Sequence, residues 1–186
     1  MALPHPNGDR IVPFVAGPLV TLVPPDPAWP ARFETEAARL RALFGETLVE
    51  VHHVGSTSVP GLCAKPILDL MPVATSLAAI DAARARFESI GLVWRGELGI
   101  PGRRYLRTGE LHLHIYEPTH PEVARHLAFR DLLRADPAAR AAYAALKLDL
   151  AGHGLDRDAY TEAKGPLIEE LLRRAMGDGY VPPTRS

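Results

Sequence analysis

The chain has 186 residues, of which 47% are hydrophobic and 23% charged, so it can bury a core of its own as one ordinary globular domain, without disulfide staples. Lys and Arg number 21 against 22 Asp and Glu, a net charge of −1; no general field draws in nucleic acid or an anionic membrane, and any anion must be held by a local site. Cys63 is the single cysteine, which rules out an intramolecular disulfide and an all-cysteine metal cage. With no basic-then-apolar leader and no apolar run near the roughly 20 residues that a bilayer demands, the expectation is a cytoplasmic protein that spans no membrane.

Residues 1–18 hold four prolines, Gly8 and Gly17 and keep no period of two or 3.6, which predicts a mobile lead-in. Leu19 to Val23 reads as a strand, stopped by Pro24-Pro25-Asp26-Pro27. From Ala28 to Phe44 the apolar residues Trp29, Phe33, Ala37, Leu40 and Phe44 recur at steps of three and four, and Gly45 stands at the C-cap position. Strands are predicted over Leu48–Val54 and Ile67–Val73, flanking the Gly- and Ser-rich stretch 55–61, then a helix from Leu77 to Ile90 ended by Gly91. Leu92–Trp94, Arg104–Arg107 and Leu111–Glu117 read as further strands, the last two joined as a hairpin through Thr108-Gly109-Glu110, so the sheet should be mixed or largely antiparallel. Thr119 with Glu122 forms a capping box, Asp136-Pro137 pairs an N-cap with proline at N1, and Asp158 can cap the last of three closing helices. The reading is one α+β domain over 19–177, with a tail from 178 to 186.

Gly55-Ser56-Thr57-Ser58 follows a strand and puts small hydroxyl residues beside a glycine. That composition lets N–H groups and hydroxyls converge on a phosphate, and it equally suits a plain turn. Lys65 adds a positive charge nearby, and Asp69 interrupts the apolar run Ile67 to Val73, where a bare carboxylate is costly; its partner could be a metal ion or a basic side chain. His112 and His114, two apart on a strand, face one side and can share a metal or a phosphate, or form the polar face of a half-buried strand. Arg104 offers a guanidinium fork for phosphate oxygens. Tyr143 with Lys147, and Tyr160 with Lys164, repeat a Tyr-x-x-x-Lys spacing that brings both polar tips to one helix face, either over a ligand or out to solvent; His126 and Arg130 repeat the spacing.

Together, Asp26-Pro27-Ala28-Trp29-Pro30, the run His53 to Leu62, Lys65-Pro66-Ile67-Leu68-Asp69, His112-Leu113-His114 and Tyr143 to Lys147 closely resemble the GrpB family, from about Leu19 to Ala175. The resemblance implies the nucleotidyltransferase fold of DNA polymerase beta-like enzymes, a mixed or antiparallel sheet packed against helices, and a link to dephospho-CoA kinase, to which similar domains are fused. In active nucleotidyltransferases a Gly-Ser pair precedes a strand bearing two acids, and a third acid on a neighbouring strand completes a site for two magnesium ions. Here Gly55-Ser56 and Asp69 match, Met71 stands at the second acid position, and the third falls on the strand of His112 and His114.

The resulting expectation is a metal-dependent nucleotidyltransferase acting on a small acceptor. Asp69, His112 and His114 would hold magnesium or manganese, or zinc, and carry the chemistry. Gly55, Ser56, Thr57, Lys65, Arg104, Tyr143, Lys147 and Lys164 would hold a nucleoside triphosphate or another phosphate-bearing molecule. A non-catalytic nucleotide- or CoA-binding module and a metal-dependent phosphate-ester hydrolase are the competing readings. Membrane and nucleic-acid partners are not expected, because no basic stripe with interleaved aromatics is present.

Overall fold

The computed structural model describes residues 20–177 and 179–182; the expected lead-in 1–18 and most of the expected tail lie outside them. Five strands and seven α-helices build a mixed α+β fold. In chain order they are α1 (Trp29–Phe44), β1 (Leu48–Val54), β2 (Leu68–Ala74), α2 (Leu77–Ala82), α3 (Arg84–Ser89), β3 (Val93–Trp94), β4 (Arg104–Arg107), β5 (Leu111–Ile115), α4 (Pro121–Ala135), α5 (Pro137–Gly152), α6 (Arg157–Ala163) and α7 (Gly165–Met176).

The sheet order is β1-β2-β5-β4-β3, with β2 and β5 parallel and every other pair antiparallel. Parallel neighbours need a crossover, and the stretch from α2 to β4 supplies it, bringing β5 back beside β2. The register then sets Asp69 opposite His112, and Tyr105 of β4 opposite His114.

Each face of the sheet is covered differently. On one face α1, α2 and α3 close a core through Phe33, Leu40, Ile80 and Phe87 against Leu68, Leu70, Leu113 and Ile115. The five apolar positions of α1 picked out by spacing are its five buried residues. On the other face Val54, Met71 and Tyr116 meet Val123 and Leu127 of α4. Beyond them α4, α5 and α7 form a helical layer of their own around Leu133, Tyr143 and Leu171. Asp69, His112 and His114 lie between the sheet and this layer.

Several expected elements differ. The described part of the expected strand at Leu19–Val23 makes a single bridge, Val23 to Ala64, because no neighbouring strand runs beside it; Leu19 lies outside the described residues. The helix expected over 77–90 is two short helices that meet at Ala83, whose φ and ψ of −87° and 3° leave the helical basin. β5 ends at Ile115, and Glu117 turns aside to accept a hydrogen bond from the Leu77 N–H at the start of α2. His120, not Thr119, caps α4 by accepting from the Glu122 N–H. Asp136 caps α5 as expected. Asp156, not Asp158, caps α6, and the chain breaks again at Lys164, so four helices close it where three were expected.

Leu40 is 2% exposed at the centre of the α1 interface. Leu40→Ala should lower the free energy of unfolding by about 3 kcal/mol, measured by urea titration.

Candidate functional site

Gly55 ends β1 with φ of 68° and ψ of −173°, a region open essentially to glycine alone. A Cβ there would run into the Asp69 carboxylate. The glycine therefore clears the space that the acid occupies. The 3-10 turn Ser56–Ser58 that follows is secured from within: the Thr57 hydroxyl sits 3.0 Å from His53 Nε2, and the Ser58 hydroxyl donates to the Gly55 carbonyl at 2.6 Å. Burial, followed by the charge of Arg134, pushes His53 down to about 4, which keeps the ring neutral beside that hydroxyl. From α4, Arg134 donates to the Ser58 carbonyl and Arg130 to the His53 carbonyl, clamping the turn from above.

Asp69 retains 28% side-chain exposure on a strand whose other residues are buried. One of its oxygens, Oδ1, lies 3.4 Å from His112 Nδ1 and 3.3 Å from His114 Nε2. Burial pushes the carboxyl upward, but hydrogen bonds and charge from the two imidazoles more than offset it and hold the group well below the usual carboxylate range. One ligand atom from each of the three residues can be chosen so that all lie within 4.8 Å of one another. One carboxylate with two imidazoles suits a single zinc, manganese or iron ion. It does not suit a pair of magnesium ions, because the second acid position is Met71, fully buried against Val54 and Tyr116.

A cavity of about 250 Å³ opens beside this cluster, between the sheet and the helical layer. Asp69 and His112 line its floor, and Lys65, Lys147 and Lys164 line its wall with Tyr143 and Tyr160. Lys147 is 2% exposed and donates to the Cys63 carbonyl, and burial lowers its pKa to about 8. Burial and the charges of Lys65 and Lys147 lower Lys164 to about 8 as well. Lys164 Nζ stands 4.4 Å from the centre of the Tyr160 ring, and Lys65 Nζ stands 5.9 Å from the same ring. Asp69 is the one carboxylate among the lining residues, against five lysines and arginines.

The structure thus brings together Gly55, Ser56, Thr57, Lys65, Asp69, His112, Tyr143, Lys147 and Lys164 around one cavity, with His114 touching Asp69 from the side. Thr57 is turned to His53, so its hydroxyl serves the fold of the turn. Arg104 does not join the cavity: its guanidinium forks onto Asp81 at 2.5 and 2.8 Å, because β4 lies beyond β5 and faces α2. Sequence reasoning left out Arg125 and gave no role to His126. Arg125 lines the cavity and is held by Glu122, Glu169 and the Tyr180 hydroxyl. The ring of His126 is centred 5.6 Å from that of His114 and is pushed down to about 3 by burial and then by His114. The His126–Arg130 spacing was the available signal; which face of α4 meets the sheet was not written in it.

Gly61 also has positive φ, 78°, but a Cβ there meets nothing within 4 Å. Gly55→Ala should therefore cost about 2 kcal/mol or more and cost clearly more than Gly61→Ala in thermal denaturation, the difference being the collision with Asp69.

The family model described as GrpB protein matches residues 19–174. The chain is 38% identical over 152 residues to UPF0157 protein YqkA of Bacillus subtilis, spanning 79% of this chain and 44% of that protein. It is 34% identical over 206 residues to a protein named dephospho-CoA kinase from Mycolicibacterium paratuberculosis, spanning 90% of this chain and 50% of the kinase. The crystal structure of conserved protein GrpB from Enterococcus faecalis superposes with a TM-score of 0.80 at 40% identity, over 84% of this chain and 97% of that one.

Proposed function

This chain belongs to the GrpB family, and on that footing we propose that it binds a nucleoside triphosphate in the cavity and transfers its nucleotidyl group to a small acceptor with release of diphosphate, with a divalent metal ion held by Asp69, His112 and His114. The observation that carries the reading is the clustering of Lys65, Lys147 and Lys164 on a wall whose neighbouring floor holds one already partnered acid. One buried and two half-buried amines without acidic partners are costly to hold so close together, and each is favoured by a polyanion. A bound ion would neutralise charge on the phosphoryl oxygens. The lysines orient the phosphate chain, and Gly55 keeps the approach to Asp69 open.

A second reading has one observation in its favour: half the length of a protein named dephospho-CoA kinase aligns with this chain. In that reading the cavity holds a CoA-type ligand without transfer, and Met71 stands where chemistry would call for a second acid.

Calorimetric titration with ATP in the presence of manganese, and again in EDTA, separates the two. Metal-dependent binding should be seen, its metal dependence lost in Asp69→Asn, and Lys147→Met should weaken it by about tenfold. Binding of CoA that is indifferent to EDTA and to Asp69→Asn would favour the module.

The two lysines near pH 8 set a pH profile. An anion raises their pKa values, so below about 8 they are already charged and binding takes up no proton, whereas above it each must gain one. Affinity for ATP should thus be flat from pH 6.5 to 7.5 and fall by about tenfold or more by pH 9.5, read by the same titration.

A further inference from the structure

Among all 186 residues the only side-chain amide is Asn7, and there is no glutamine. The amides that pair bidentately with the edge of adenine are thus missing from every described element, and the two arginines that line the cavity, Arg125 and Arg130, are already paired with Glu122, Glu169 and Asp131. The hydroxyls of the cavity turn are committed as well. Thr57 faces His53, Ser58 donates to the Gly55 carbonyl, and Ser56 lies against the Tyr143 hydroxyl. At about 250 Å³ the cavity is smaller than the roughly 300 to 1,000 Å³ that encloses a drug-sized ligand.

One hydroxyl is left over. Tyr160 lines the cavity, is 1% exposed, and its hydroxyl is buried with no hydrogen-bond partner among the described residues. Lys65 and Lys164 both stand over its ring, and Lys147 lines the same cavity. A buried hydroxyl without a partner is costly, and an anion's oxygen is the acceptor that such surroundings would attract.

Resting on the nucleotide reading above, we infer that the ligand is recognised through its phosphates alone: Tyr160 donates its hydroxyl to the phosphate chain that Lys65, Lys147 and Lys164 neutralise, and the base is not read. The substrate class is then any compact di- or triphosphate, whatever it is attached to. Selectivity of the steep kind arises where buried polar groups are left unpaired by the wrong ligand, and no side-chain group here is placed to be disappointed by the wrong base.

The test is competition titration of the full-length, manganese-loaded protein with ATP, GTP, CTP, UTP and inorganic tripolyphosphate, repeated on Tyr160→Phe. The five affinities should agree within about threefold, and Tyr160→Phe, which removes only the hydroxyl, should weaken all five by about tenfold alike with an unchanged melting temperature. A preference of about tenfold or more for one base, or failure of tripolyphosphate to bind where ATP does, would overturn the inference while leaving the nucleotide reading standing. Unchanged affinities in folded Tyr160→Phe would remove Tyr160 from the site and overturn it too. Absence of binding by all five would sink both.

Discussion

Asp69 puts a carboxylate in the middle of a strand that is otherwise buried, and the rest of the site is organised around making that tolerable. A charge in such a place must be partnered or it unfolds its surroundings. The partners come from β5, because the parallel register lays His112 directly opposite and the two-residue period brings His114 to the same face. Gly55 surrenders its side chain to leave room, and α4 roofs the space and clamps the turn through Arg130 and Arg134. The acid is thus the point at which sheet, turn and helical layer meet.

The cavity continues the same logic on its other side. Helices α5 and α6 deliver Tyr143, Lys147 and Tyr160, and Lys164 follows at the break before α7. That break does for Lys164 what an uninterrupted helix would not, leaving it between α6 and α7, over the Tyr160 ring. The result is an asymmetric site, with one acid and His112 on the floor, His114 against the acid from the side, and amines on the wall. A phosphate chain with an associated cation is the ligand whose charges such a division matches. No helix among the described residues is long and apolar enough to cross a membrane.

Much of this was legible in the sequence wherever the signal was local. The spacing of Trp29, Phe33, Ala37, Leu40 and Phe44 identified the buried stripe of α1, and the bounds of β1 and the β4–β5 hairpin followed from alternation and turn residues. What failed depended on partners far along the chain. Leu19 to Val23 has the composition of a strand but no strand beside it, so its described part makes only one bridge. Ala83 breaks a helix with no glycine or proline to announce it. Arg104 has the fork that a phosphate wants, but the sheet order turns it to Asp81. Arg125 joined the cavity through a packing angle that no i,i+4 spacing encodes, whereas the Tyr160–Lys164 spacing had offered both of its residues to a ligand or to solvent.

The central claim is that one metal ion at Asp69, His112 and His114 and one phosphate chain at the lysines share a single site. Anomalous diffraction from crystals grown with manganese and a non-hydrolysable ATP analogue tests it most directly. The account predicts one metal peak within bonding distance of the Asp69 carboxylate and a nitrogen of each histidine, with phosphate density against Lys65, Lys147 and Lys164. An empty cluster, or an analogue bound elsewhere with the lysines bare, would contradict it.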